Sequence, residues 1–172
     1  ILIMTISSYQ VKQNFIEKEK FNFLQKTLFG DFPWFYREKI LSNKKNNDGF
    51  YFAHMFARHN EPTSTAFELL KPILKKLNVK YILEIRANLV MKTKTKTFSG
   101  FHIDIEESPI KTQKTAIFYL NTNNGYTVLD PKKKKKIKSK ANQMLTFDSD
   151  VKHGAVLQTD KKRRIVINFN YN

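Results

Sequence analysis

Apolar side chains recur at helical spacing in two stretches of the first 80 residues. In residues 15–28 they repeat every three or four positions up to Gly30, which predicts a helix that ends at this glycine. A second helix is predicted over residues 64–77, with Ser64 or Thr63 as its N-cap and Pro72 as a local irregularity. We therefore expect two helices before residue 80.

The rest of the pattern consists of short apolar runs that alternate with polar positions, which is typical of β-strands. The predicted strands are residues 50–57, 81–90, 98–104, 115–121, 126–129, 135–138, 144–147, 154–157 and 164–171. Asn123-Asn124-Gly125 is the clearest turn signal, because Asn and Gly accept the positive φ that tight hairpins need. Eight or nine short strands predict a β-sandwich or jelly roll.

No internal repeat or linker rich in Pro, Gly and Ser divides the 172 residues, so we expect a single domain. Its first part, residues 1–80, is helical and aromatic, and residues 81–172 form the strand core. Ile1 to Ile6 are too short for the core of a signal peptide, and no apolar run reaches the ~18–20 residues of a membrane span. The expectation is a cytoplasmic protein with no membrane partner.

Charge and cysteine content narrow the classes of function. The net charge is +16, but only five of the 31 cationic residues are arginines, the side chain that binds phosphate and guanine in a bidentate manner. We interpret the surplus as mostly solvated surface lysine, which disfavours nucleic acid as a partner. The chain has no cysteine, which excludes disulfides, thiolate zinc sites and a cysteine nucleophile. A metal would have to be held by histidine and carboxylate.

Three residues have the side chains for such a site. His102 and Asp104 lie two positions apart on a predicted strand, so both point to one face, and His153 begins a later strand. Two imidazoles and one carboxylate on one side of a metal leave the other side open, as in non-haem Fe(II) oxygenases.

Arg164 starts an alternating strand on which Val166, Asn168 and Asn170 share its face. An arginine inside a barrel is costly unless an anion pairs with it, and a dicarboxylate co-substrate is such an anion. Tyr119 is placed to offer its hydroxyl to the same carboxylate.

Several other segments extend the pattern over most of the chain. They are Phe32-Pro33-Trp34-Phe35-Tyr36, Arg86-Ala87-Asn88-Leu89, Phe101-His102-Ile103-Asp104, Tyr119 through Thr127, and Phe147-Asp148 through His153-Gly154 to Arg164 and Tyr171. In this order they resemble the 2-oxoglutarate- and Fe(II)-dependent dioxygenases, specifically the prolyl 4-hydroxylase-like branch with its small forms in marine bacteria and their phages.

The resemblance implies a mainly β protein with flanking helices (α+β), whose core is a double-stranded β-helix (a cupin-like jelly roll) with the N-terminal helices packed on one sheet. It implies an enzyme that couples oxidative decarboxylation of 2-oxoglutarate, to succinate and CO2, with hydroxylation of a substrate. The implied substrate is a peptidyl residue such as proline, so the implied partner is a peptide or protein, met in the host cytoplasm if a phage encodes the chain. Fe(II), 2-oxoglutarate and O2 are the implied cofactor and co-substrates, with ascorbate as a stimulant.

The resemblance also implies roles for single residues. His102, Asp104 and His153 would ligate Fe(II), and Arg164 and Tyr119 would hold the distal carboxylate of 2-oxoglutarate. Asn88, together with Arg86 on the same strand face, would contact co-substrate or substrate. Arg163 is the alternative to Arg164, but the family's arginine begins the same alternating strand, and strand parity lets only one of the two face inward.

Two other functions remain open from the sequence. The same fold can carry a nucleic-acid base oxidase or demethylase, and a jelly roll can be a binding module without catalysis. His54 and His59 are interpreted as structural or surface residues, since a facial triad needs no further ligand.

Overall fold

A computed structural model describes residues 9–38, 49–105 and 113–172, so the expectation about Ile1 to Ile6 lies outside the described residues. The helices are α1 (Lys18–Phe29), a 3-10 helix (Thr65–Leu70) and α2 (Lys71–Leu77). The strands are β1 (Gln10–Lys12), β2 (Phe35–Arg37), β3 (Tyr51–Arg58), β4 (Glu61–Pro62), β5 (Ile82–Met91), β6 (Lys114–Tyr119), β7 (Tyr126–Leu129), β8 (Lys135–Lys138), β9 (Gln143–Asp148), β10 (His153–Val156) and β11 (Arg163–Tyr171). Over these described ranges, no helix is long and apolar enough to cross a membrane.

The strands form two antiparallel sheets. The major sheet has the order β1-β9-β6-β11-β5-β3-β2, with β4 paired to β3, and the minor sheet has the order β10-β7-β8. This is the predicted mainly β jelly roll with flanking helices. β3 pairs with β5, so the first 80 residues contribute strands to the major sheet in addition to the helices that pack on it.

The two faces of the central strands β5 and β11 differ because side chains alternate across a sheet. On the outer face, Ile85 and Ile167 join a hydrophobic core with Phe21 and Leu24 of α1 and Ile73 of α2. The predicted packing of the helices on one sheet is therefore confirmed. On the inner face lies a second, smaller core between the sheets, formed by Ile117, Tyr119, Leu129, Ile137, Leu145, Phe147 and Val166.

The helices differ from the prediction in their details. α1 ends as predicted at Gly30, whose N–H lies 3.0 Å from the carbonyl oxygen of Lys26. The second helix has Ser64 as its cap, but it is divided into a 3-10 turn and α2. The division follows from Pro72, which has no N–H to donate to the carbonyl of Glu68 and so cannot continue a single α-helix.

Two local predictions were wrong. Residues 98–104 are not a strand, because Gly100 has φ 89° and interrupts the extended backbone, so that only isolated bridges from Phe98 and His102 to β10 remain. Asn123-Asn124-Gly125 is not a positive-φ hairpin turn. There the Asn123 side-chain oxygen accepts the Gly125 N–H at 2.9 Å, and the chain crosses from β6 in the major sheet to β7 in the minor sheet.

Candidate metal centre and anion site

A cleft of about 120 Å³ opens between the two sheets, and His102, Asp104 and His153 line it. One ligand atom from each of the three lies within 4.8 Å of the others. Asp104 Oδ1 is 3.3 Å from His102 Nε2 and 3.5 Å from His153 Nε2. Asp104 and His153 are buried, whereas the His102 side chain is 38% exposed and lies at the mouth of the cleft.

The backbone fixes this arrangement even though residues 98–104 form no strand. His102 and His153 each donate their N–H to the other's carbonyl oxygen at 2.9 Å. Gly154 allows the close approach, because a Cβ at this position would lie 2.1 Å from the Gly100 carbonyl oxygen and 2.8 Å from the Phe98 ring. Two glycines therefore place one histidine beside the other.

Asp104 is held as a carboxylate. Burial alone would raise its pKa, but the neighbouring imidazoles of His102 and His153 outweigh burial and hold the pKa of this carboxyl well below its usual range. The second oxygen accepts from Asn170 Nδ2 at 3.3 Å, and Asn170 Oδ1 in turn accepts from the Thr115 hydroxyl at 2.8 Å. This chain of contacts orients the carboxylate toward the histidines.

The donor set fits a metal ion. His153 Nε2 is buried and has no hydrogen-bond partner among the described residues, although it points at Asp104. Its other ring nitrogen, Nδ1, lies 3.3 Å from the Val151 carbonyl oxygen, the type of contact that orients a metal-ligating imidazole. Two imidazole nitrogens and one carboxylate oxygen suit a first-row transition metal.

Arg164 and Arg163 lie on opposite faces of β11. Arg164 is 3% exposed and lines the cleft, with its Nε 3.1 Å from the Ser139 hydroxyl. Among the described residues no carboxylate pairs with it, and burial lowers its pKa from the usual value. Arg163 instead donates to the Phe29 carbonyl at 3.0 Å and covers the Phe29 ring. The cleft therefore has a buried cation that an anion can complement.

Tyr119 is fully buried beneath Arg164, whose guanidinium lies 5.8 Å from the centre of the tyrosine ring. Its hydroxyl is 2.8 Å from the Thr127 hydroxyl. The residues that line the cleft include Thr127 but not Tyr119. Tyr119 thus reaches the cleft through Thr127.

Asn88 lies on β5 and lines the cleft, where its buried side-chain oxygen has no partner among the described residues. Arg86 and Asn168 also line the cleft, and each has a buried polar atom without a partner there.

The other two histidines that the sequence raised have no part in this cleft. His54 is buried between the Pro33 carbonyl and the Ser64 hydroxyl, each 2.8 Å away. His59 is exposed at the end of β3 and has a positive φ of 50°.

Sequence reasoning gave no role to four polar residues around the cleft: Thr127, Ser139, Asn168 and Asn170. The shared face of Arg164, Asn168 and Asn170 was visible in the alternation of β11, and a polar residue on the inner face of a barrel strand is a usable signal. Thr127 and Ser139 come from the minor sheet and the end of β8, so only the sheet pairing reveals them.

Comparison with known proteins bears on this site. A model described as the 2OG-Fe(II) oxygenase superfamily matches residues 89–172, which include the three candidate metal ligands, Tyr119 and Arg164. Residues 89–172 match a family of oxygenases that use iron and 2-oxoglutarate. The match supports an oxidoreductase, and it implies Fe(II), 2-oxoglutarate and O2. A search of curated proteins finds no match.

Solved structures share the fold over nearly the whole chain. A 2OG-Fe(II) oxygenase family oxidoreductase from Burkholderia pseudomallei has a TM-score of 0.68 at 11% identity, over 96% of this chain and 84% of that one. The α-ketoglutarate-dependent epimerase SnoN from nogalamycin biosynthesis has a TM-score of 0.68 at 10% identity, over 96% and 78%. A prolyl-4-hydroxylase from Pseudomonas putida has a TM-score of 0.59 at 12% identity, over 96% and 93%. Because these neighbours include an epimerase and a hydroxylase, the fold does not select the substrate.

Proposed function

We propose that this chain is an Fe(II)- and 2-oxoglutarate-dependent hydroxylase, a single domain that acts on a peptidyl residue such as proline. The observation that carries the proposal is the convergence of ligand atoms of His102, Asp104 and His153 within 4.8 Å, with a buried His153 nitrogen that has no hydrogen-bond partner among the described residues. In the proposal these three residues hold Fe(II).

Arg164 would bind the distal carboxylate of 2-oxoglutarate. It is the buried cation of the cleft, and its Nε donates to the Ser139 hydroxyl. Its guanidinium lies over the Tyr119 ring, and the Tyr119 hydroxyl is hydrogen-bonded to that of Thr127. If the Tyr119 hydroxyl donates to that of Thr127, the Thr127 hydroxyl is free to donate to an anion. Tyr119 would then help Arg164 to hold the carboxylate through Thr127. Asn88 would present its carboxamide to the co-substrate from β5.

When bound, Fe(II) supplies the redox chemistry by which 2-oxoglutarate, O2 and a C–H bond give succinate, CO2 and an alcohol, with one oxygen atom entering each organic product. The chain contributes position and environment. Asp104 stays deprotonated and is oriented by Asn170, His153 is shielded from water, and Arg164 sets the direction in which a dicarboxylate lies. The apolar Ile117 and Val166 beside them keep part of the cleft dry.

The test is the visible charge-transfer band of an iron chelate. Wild-type protein is mixed anaerobically with Fe(II) and 2-oxoglutarate, and we expect a weak band that His153→Ala abolishes and His59→Ala retains. Addition of O2 should then release succinate. A properly metallated wild-type protein with neither the band nor succinate would overturn the proposal.

A further inference from the structure

Arg86 and Asn168 face each other across the centre of the major sheet. They are direct partners in the antiparallel pairing of β5 with β11, which places their side chains on one face with Cβ atoms about 5 Å apart. Both line the cleft. Arg86 Nε and Asn168 Oδ1 are buried, and neither has a hydrogen-bond partner within the described part of the chain. The pair thus offers one unused donor and one unused acceptor.

The charge of Arg86 is partly compensated, unlike that of Arg164. Glu84 Oε1 lies 3.6 Å from Arg86 Nη1, while its other oxygen lies 2.6 Å from Arg58. Arg86 is therefore ion-paired to Glu84 through Nη1, while its Nε remains available to a molecule in the cleft. A free anion would gain less here than at Arg164, which has no carboxylate partner in the residues described.

The pair lies next to the candidate metal centre. Asn168 is two positions from Asn170, whose side chain contacts Asp104, and two strand residues span about 6.6 Å. A molecule that contacts Arg86 and Asn168 would therefore place its neighbouring carbons beside His102, Asp104 and His153.

We infer that Arg86 and Asn168 recognise a secondary amide of the substrate, with Arg86 Nε donating to its carbonyl oxygen and Asn168 Oδ1 accepting its N–H. The inference rests on the proposed function and assigns the two residues that contact the amide of its peptidyl substrate. An ammonium group would lie against the Arg86 guanidinium, and an ester would supply an acceptor for Arg86 Nε but no donor for Asn168 Oδ1. An amide satisfies both buried atoms, and a site built from such atoms rejects analogues that leave them unpaired.

An amide-to-ester exchange isolates the N–H. The probes are N-acetyl amino acid N-methylamides of the coded amino acids, the matching methyl esters, and the free amino acids. Each is assayed for substrate-stimulated succinate release and for gain of one oxygen atom by mass spectrometry. Binding to the metal-free protein is followed in parallel by saturation-transfer NMR. In wild-type protein we expect at least one amide to exceed its ester in kcat/KM by about tenfold, the usual effect of one lost buried hydrogen bond.

Two variants assign the contacts. Asn168→Leu should remove the preference for amide over ester, whereas Arg86→Met should weaken both by a similar factor. Arg37→Met, an exposed arginine on β2, is the matched control and should leave the preference unchanged. Because the comparison of amide with ester needs only wild-type protein, a variant that fails to fold does not remove the test.

Three results would overturn the inference: esters or free amino acids equal to the amides, a preference that survives Asn168→Leu, or no amide that binds or stimulates turnover. Failure of the proposed function is a different result. In that case neither the wild type nor any variant would decarboxylate 2-oxoglutarate, with or without substrate. The NMR comparison of amide with ester in metal-free protein would still decide whether Arg86 and Asn168 bind an amide.

Discussion

His102 and His153 exchange both of their backbone hydrogen bonds, each at 2.9 Å, and their rings lie 4.6 Å apart. One histidine comes from an irregular segment and the other begins β10. Because main-chain bonds set the distance between them, the side-chain rotamers need to select only the direction of each ring. Main-chain hydrogen bonds thus set the distance between the two histidines, and the side-chain rotamers set the positions of the ligand atoms.

Gly154→Ala should disrupt this pairing. The new Cβ would lie 2.1 Å from the Gly100 carbonyl, so residues 98–102 must move away from β10. We expect the free energy of unfolding to fall by about 2–3 kcal/mol, as for other overpacked positions, and Co(II) affinity to fall with it. Denaturant titration and calorimetry measure the two effects. Gly30→Ala is the comparison, because its Cβ would lie 3.1 Å from the Lys26 carbonyl oxygen, a tight contact that is nevertheless much longer than 2.1 Å; equal losses in both variants would contradict the argument.

Arg164→Met and Arg163→Met form a matched pair on adjacent residues. Arg164 faces the cleft, so its loss should weaken 2-oxoglutarate binding about a hundredfold, the scale expected for a buried charge pair. Arg163 packs on Phe29 outside the cleft, so its loss should lower stability while affinity changes less than about threefold. Calorimetric titration of 2-oxoglutarate into anaerobic Fe(II)-loaded protein measures both affinities. Similar losses in the two variants would show that Arg164 is not the anchor.

Asn170→Leu removes the side chain that orients Asp104 and keeps a similar volume. Because Asn170 Nδ2 is 3.3 Å from Asp104 Oδ2, we expect metal affinity to fall about tenfold or more, as when other partners of metal ligands are removed. Competition titration with a chelator measures the affinity. Thr115→Val touches only the far end of the chain of contacts, so its effect should be smaller. An unchanged affinity in Asn170→Leu would mean that Asp104 needs no orientation by this residue.

Tyr119→Phe should change how stability depends on alkaline pH. Burial raises the pKa of Tyr119 to about 12, above its unfolded value of 10.0. The neutral hydroxyl therefore contributes stability that is complete below pH 10 and is lost as the pH rises toward 12. Between pH 8 and pH 11 the wild type should lose about 1.4 kcal/mol more than Tyr119→Phe, measured by urea unfolding at both pH values. Parallel losses would indicate that folding does not raise the pKa of Tyr119.

The strands with strict alternation could be predicted from the sequence. Residues 126–129 and 135–138 have the predicted limits, and β11 begins one residue before its predicted start. The period-2 pattern also predicts that Arg164 and Arg163 face opposite ways, and in the structure Arg164 lines the cleft while Arg163 contacts Phe29. Local pattern suffices where one face of a strand is buried against apolar residues.

Prediction failed where distant contacts set the local conformation. Residues 98–104 have strand-like composition, but the positive φ of Gly100 and the approach of Gly154 turn them into a bridged loop. Residues 123–125 cross between the sheets and exchange main-chain hydrogen bonds with Ser139, a contact that the local Asn-Asn-Gly signal does not reveal. The pairing of Arg86 with Asn168 depends on a register between strands far apart in the chain, and register is a tertiary property.

The irregular segment 98–104 is attached to β10 by few main-chain bonds, among them those of Ser99 and His102. A metal ion held by His102, Asp104 and His153 would cross-link this segment to β10. It would close a loop of about fifty residues between His102 and His153. The free energy of unfolding would rise with the logarithm of the ratio of the metal concentration to the dissociation constant. The supply of iron would then set the stability of the fold as well as the rate of catalysis.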